Sequence, residues 1–242
     1  MTTSAALRNF DRRFFAVTAI AFTLVVLAGF ARTYYLKPYF GGPPLPSVFV
    51  HIHGLLMTAW VALFATQVWL ISSRRVNVHQ RLGYAGVGLA VLIVAAGLVT
   101  ALRAGKYGSP SMPPNIPTLA FMAIPLFDLL MFSILFGGAV YYRKKPAAHK
   151  SLMLLTAINF VPPALARIPI APLLNLGPLW FFGFPTVLML VCLAIDWRRG
   201  RGRINPVFLV GSVLLIASYP IRLTLMGTAA WMQFALWLTS VV

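Results

Sequence analysis

The chain is 242 residues long, 60% hydrophobic and only 10% charged, with a mean hydropathy of +0.86. That composition belongs in a bilayer rather than in water. The net charge of +17 sits in short loops beside apolar runs, where anionic head groups attract it, so nucleic acid is excluded as a partner.

A spanning helix needs about 20 apolar residues, and seven stretches meet that length in chain order. The first, roughly 14–35, follows Arg8, Arg12 and Arg13 and lacks a small-residue cleavage signature. It reads as a retained helix, not a removed signal peptide. The connection 36–46 is rich in Pro and Gly, which predicts a cap or a loop. The second stretch, 47–72, carries His51 and His53 near its start and Trp60 and Gln67 deeper. His79 opens the third, 80–102, which leads into a second Pro/Gly-rich connection, 103–117. Asp128 lies inside the fourth, 118–142. His149 opens the fifth, 148–170, which also holds Asn159, Pro162–Pro163 and Arg167. The sixth, 179–197, contains Pro185 and Cys192; the seventh, 205–226, contains Pro220 and Arg222, and a shorter apolar tail, 228–242, follows. Each proline inside a span predicts a kink.

Alternate connections differ in charge. Fourteen of the twenty basic residues fall before the first span and after the second, fourth and sixth. The positive-inside rule then predicts seven helices in one domain, 1–242, with the N-terminus cytoplasmic and the C-terminus outside. The expected architecture is an all-α, seven-transmembrane-helix bundle in a bacterial inner membrane, with anionic lipids at its cytoplasmic face.

Polar side chains buried at membrane depth are functional candidates by default. The second span separates the His51/His53 level from the His79/His149 level by about 30 Å, so one metal cannot take ligands from both. His79 and His149 begin parallel helices on one membrane face. Two facing imidazoles suit a b-type haem, with Arg81 and Lys150 near for its propionates. They equally suit another transition metal (Cu, Zn or Fe), or lipid-phosphate contact and capping with no cofactor at all. His51 and His53 point about 200° apart on a regular helix, so both could bind one metal only if the backbone is extended there, which Gly54 would allow. His53 facing the bundle is then either a metal ligand or a packed, hydrogen-bonded ring. Asp128, Asn159 and Gln67 lie deep, and a carboxylate at that depth must be neutral or paired, with Asn159, Arg167 or Arg222 as partner. Its role is either that of a proton-relay or quinol-binding group or that of an interhelical clasp. Arg167 and Arg222 either steer an anionic head group or snorkel.

Several chemistries lack their residues. No Lys lies in the seventh span for a retinal Schiff base, and HExxH, a Gly-rich phosphate loop and paired carboxylates are missing. The lone Cys192 leaves neither an intrachain disulfide nor a cysteine metal box.

The run HIHGLLMTAWVALFATQVWLI…VHQRLGYAGVGLAVL…LFDLLMF…AAHKSLMLL…ALAR resembles an uncharacterised group of bacterial seven-helix membrane proteins. More distantly, it is similar to the predicted membrane protein family called domain of unknown function 2306, departing from it at Gln80. VHQRLG and AHKSLM also resemble segments of the transmembrane ascorbate-dependent ferric reductases, whose core helices carry two pairs of haem-ligating histidines. The fourth span has no His, so that resemblance implies at most one haem, through His79 and His149. The leading expectation is a redox-associated protein binding haem or a transition metal. The alternatives are an accessory subunit or assembly factor of a respiratory or photosynthetic complex, and a small proton-coupled transporter using Asp128.

Overall fold

A computed structural model describes residues 3–41, 47–109, 112 and 115–241, with side chains omitted before Phe10 and at positions 11 and 12. Parts of both Pro/Gly-rich connections (42–46, 110, 111, 113 and 114) therefore lie outside the described residues, as do the side chains of Arg8, Asp11 and Arg12. Among the described residues every regular element is helical.

Helix α1 (Thr3–Phe30) continues into a π-helical turn, Ala31–Tyr35, and then a 3-10 turn, Lys37–Phe40. Helix α2 (Val48–Ser72) starts where the Ser47 side chain accepts the Val50 N–H, satisfying one of the free donors of a first turn. Helix α3 (Val76–Tyr107) is longer than the sequence pattern suggests. Residues 103–107 contain no proline, so the helix runs on until Gly108, whose φ of 78° ends it. Short α4 (Thr118–Phe121) leads into α5 (Ala123–Tyr141).

The fifth apolar stretch is not one helix. It divides at Phe160 into α6 (Pro146–Asn159) and α7 (Val161–Leu165). Pro162 and Pro163 lack N–H donors, and their rings would strike the carbonyls of Ile158 and Asn159 in a continuous helix. They instead occupy the first turn of α7, where proline is tolerated. A single turn, α8 (Ala171–Leu174), and a second π-helical turn, Leu179–Gly183, precede α9 (Phe184–Arg199). Helix α10 (Pro206–Leu225) absorbs Pro220 without breaking. The apolar tail folds as a further helix, α11 (Ala229–Thr239), capped by Thr228.

Among the described residues, six helical segments are long and apolar enough to cross a bilayer: Arg13–Tyr35, Val48–Ser72, Val76–Tyr107, Thr118–Lys144, Leu179–Arg199 and Pro206–Leu225. The chain is thus an all-helical, multi-pass membrane protein. Helices α5 and α6 stand at its centre. On one side they pack with α9 and α10 through Leu135, Leu155, Met189 and Leu215. On the other, Phe132 and Phe160 meet Phe22 of α1, Trp60 of α2 and Ile93 of α3. With no water to expel, such helices associate through close van der Waals contact and small residues. At Gly29 a Cβ would run into the Ala164 carbonyl, so α1 and α7 touch backbone to backbone.

The bundle has two distinct ends. At the basic end, Arg199 stacks on Phe10 and Lys150 on Phe15, joining α9, α1 and α6. At the far end, Arg103 of α3 stacks on Phe49 of α2, and the Trp231 indole of α11 donates to the Leu119 carbonyl.

Candidate functional site

His79 and His149 occupy equivalent positions, each the fourth residue of its helix. Parallel α3 and α6 bring them to one level, with ring centroids 6.2 Å apart and planes at 82°. The His149 Nδ1 lies 2.8 Å from the Ala139 carbonyl of α5. A carbonyl only accepts, so Nδ1 carries the proton and Nε2 keeps its lone pair. On the other side, the Gln67 amide donates to the His79 backbone carbonyl at 3.3 Å, tying α2 to α3. Two buried atoms remain without hydrogen-bond partners here: His79 Nδ1 and Gln67 Oε1. Both rings are half-buried.

The residues expected to accompany this pair do not gather round it. Arg81 is exposed. Lys150 turns onto the Phe15 ring, 5.4 Å from its centroid, and feels the charge of Asp196. It lines a small pocket with Cys192, Asp196 and Arg199 instead. Among the described residues no three His, Cys, Asp or Glu side chains converge. The pair by itself therefore falls short of the four protein ligands of a structural zinc site and the three of a catalytic one. Two axial imidazoles are all that a six-coordinate haem iron takes from the protein.

Asp128 belongs to a different kind of site. It sits in α5, 6% exposed, paired with the fully buried Arg222 of α10. Each of the three guanidinium nitrogens of Arg222 has a protein acceptor. Its Nε donates to the Ser218 carbonyl and its second amino group to the Ser218 hydroxyl, at 3.2 and 2.9 Å. The rings of Phe127, Phe182 and Tyr219 lie 5.3–5.6 Å from the guanidinium carbon. Asn159 donates to the backbone carbonyl of Asp128 at 2.9 Å, not to its carboxylate. The result is a buried ion pair holding α5, α6 and α10 together.

The third polar group is at the far end. His51 is exposed and near Tyr34, whose hydroxyl is 3.2 Å from its Nδ1. His53 turns inward to Gly97 of α3, where a Cβ would lie 3.5 Å from its Cε1. Its buried Nδ1 has no hydrogen-bond partner. Arg167 is half-buried and near enough for its charge to act on His53. It is not a partner of Asp128.

Sequence reasoning missed the shell of Arg222. Ser218 stands one turn before it on α10, a spacing that could have flagged the contact. Phe182 comes from the π-helical turn and left no such signal. No protein-family model matches the chain, and neither a curated protein nor a solved structure shows similarity to it.

Proposed function

We propose that the chain is a seven-span, N-in/C-out protein of a bacterial inner membrane, and that His79 and His149 hold a b-type haem at its cytoplasmic face. The observation that carries this reading is the pairing of the two rings. Two iron–nitrogen bonds of about 2 Å put the ligating atoms about 4 Å apart, and ring centres at roughly 6 Å. The observed separation is 6.2 Å, with the rings nearly perpendicular. Second-shell order fits as well. A ligating histidine normally donates its other N–H to a carbonyl or carboxylate, as His149 does to Ala139. The buried His79 Nδ1 has no hydrogen-bond partner in the protein. Bound there, haem iron supplies one-electron transfer. The chain's own residues hold and orient: Ala139 fixes the tautomer of His149, and Gln67 fixes the first turn of α3. A transition metal needs further ligands from outside the pair.

The orientation rests on the basic residues concentrated at the His79/His149 end, with α6 and α7 together forming the fifth crossing. Anionic lipids meet that end.

A second reading has one observation in its favour. α3 and α6 barely touch elsewhere, so the ring contact could serve only to join them, as in an accessory subunit of a larger membrane complex. Haem content separates the two. The chain is expressed with haem precursor and purified, and haem is assayed by its pyridine adduct. About one haem per chain is expected, lost in both His79→Ala and His149→Ala. Well-folded protein without haem favours the accessory reading. A C-terminal reporter active only in the cytoplasm would contradict the orientation.

A further inference from the structure

We infer that the side-chain amide of Gln67 tunes the reduction potential of the haem site: its Oε1 accepts the Nδ1–H of His79, directly or across one water. This role rests on the haem reading and goes beyond the tie between Gln67 and the His79 backbone.

Ligation leaves one proton to be placed. A neutral imidazole that binds iron through Nε2 carries its proton on Nδ1, and that N–H needs an acceptor. For His149 the acceptor is the Ala139 carbonyl, 2.8 Å from Nδ1. The His79 Nδ1 is buried and bonded to nothing.

The complementary atom belongs to a residue already in contact with His79. Gln67 Nε2 donates to the His79 carbonyl at 3.3 Å. A carbonyl only accepts, so this bond decides which way round the amide sits. Oε1 is attached to the same carbon as Nε2 and therefore also lies beside the first turn of α3. It too is buried without a partner. Of two residues joined by a hydrogen bond, one thus has a donor lacking an acceptor and the other an acceptor lacking a donor. Each alone carries a desolvation cost, and one link removes both.

Gly83, one turn after His79 on α3, stands beside the same amide. A Cβ there would meet Gln67 Nε2 at 4.0 Å. With no side chain at that position, the amide and the ring have room to close on each other or on a single water.

The two ligands then differ in what controls them. An acceptor on the far nitrogen raises the basicity of a ligating imidazole, and a more basic ligand favours ferric over ferrous iron. His149 is held by a backbone carbonyl, which side-chain substitution leaves in place. His79 depends on a side chain. Gln67 acts through His79, as a positioning residue, and does so without adding a charge to a membrane helix.

The test uses the full, haem-supplied chain in detergent. Potentiometric titration reads the haem, and proton–nitrogen NMR of histidine-labelled protein in the diamagnetic ferrous state reads the ring protons. Wild-type protein is expected to show both Nδ1–H protons downfield and slow to exchange. Gln67→Leu should raise the potential by about 59 mV or more, a tenfold change for a one-electron couple. It should also move the His79 proton upfield and leave that of His149 in place. Gln67→Glu keeps an acceptor oxygen and loses the donor to the His79 carbonyl. Its His79 proton should stay downfield, and its potential should not rise. A purely structural tie predicts that the two variants behave alike. Should Gln67→Leu fail to hold haem, the wild-type and Gln67→Glu spectra decide. A His79 Nδ1–H that exchanges freely in wild-type protein overturns the inference, as does an unchanged potential in Gln67→Leu or an equal rise in both variants. Those results in haem-loaded protein leave the haem reading standing, whereas wild-type protein that takes up no haem removes both.

Discussion

The Asp128–Arg222 pair and the His79–His149 pair both join distant helices, yet one is closed and the other open. Arg222 is fully buried, and its carboxylate partner, the Ser218 groups and three aromatic rings surround it. Protein groups hold both the carboxylate and the guanidinium, and the geometry of the pair is that of a clasp. The histidines are half-buried, one nitrogen is held, and two neighbouring atoms lack partners. An orphaned buried polar atom in a membrane calls for an explanation, and both regions have them: His79 Nδ1 and Gln67 Oε1 at one, Asn159 Oδ1 and the Tyr219 hydroxyl beside the other.

Breaking the closed pair should have the largest effect. Asp128→Leu or Arg222→Met alone leaves one buried charge without its partner and should cost about 3–5 kcal/mol. The double substitution should recover most of that loss, since both charges are then gone. Denaturant unfolding in mixed micelles measures all three. A single variant as stable as wild type would show the pair to be hydrated, and the contrast with the histidines would collapse.

Gly29→Val sets the scale for pure packing. Its Cβ must displace the Ala164 backbone, and overpacking of this kind costs about 1–3 kcal/mol. A smaller loss than for Arg222→Met is expected in the same assay.

The open pair should matter less to stability. Without cofactor, His149→Ala removes one hydrogen bond to Ala139 and should cost about 1 kcal/mol. A loss as large as that of the ion pair would make the histidines structural. His51→Ala, at an exposed ring, should stay within about 0.5 kcal/mol of wild type.

Much of this arrangement is written in local sequence. The apolar runs delimit the six long helices because length and hydropathy alone decide what can cross a bilayer. Pro162–Pro163 signalled a disturbance, but a break into two helices rather than a kink depends on the close approach of α1 to α7 at Gly29 and Ala164. Asp128 stood out as an isolated acid. Its choice of Arg222 over Arg167 was not legible, because both lie near the ends of their spans and only the tertiary fold brings one of them inward beside α5. The turn of Lys150 away from His149 was equally hidden. It follows from Phe15 and Asp196, which are distant in sequence.

The central claim is that the open pair is a ligand set, and low-temperature electron paramagnetic resonance of the oxidised, haem-supplied protein addresses it most directly. The account predicts a low-spin ferric signal with two imidazole ligands, replaced in His149→Ala by a high-spin signal or by none, and unchanged in His51→Ala. A wild-type protein that takes up no haem, or a low-spin signal that survives in His149→Ala, would contradict it.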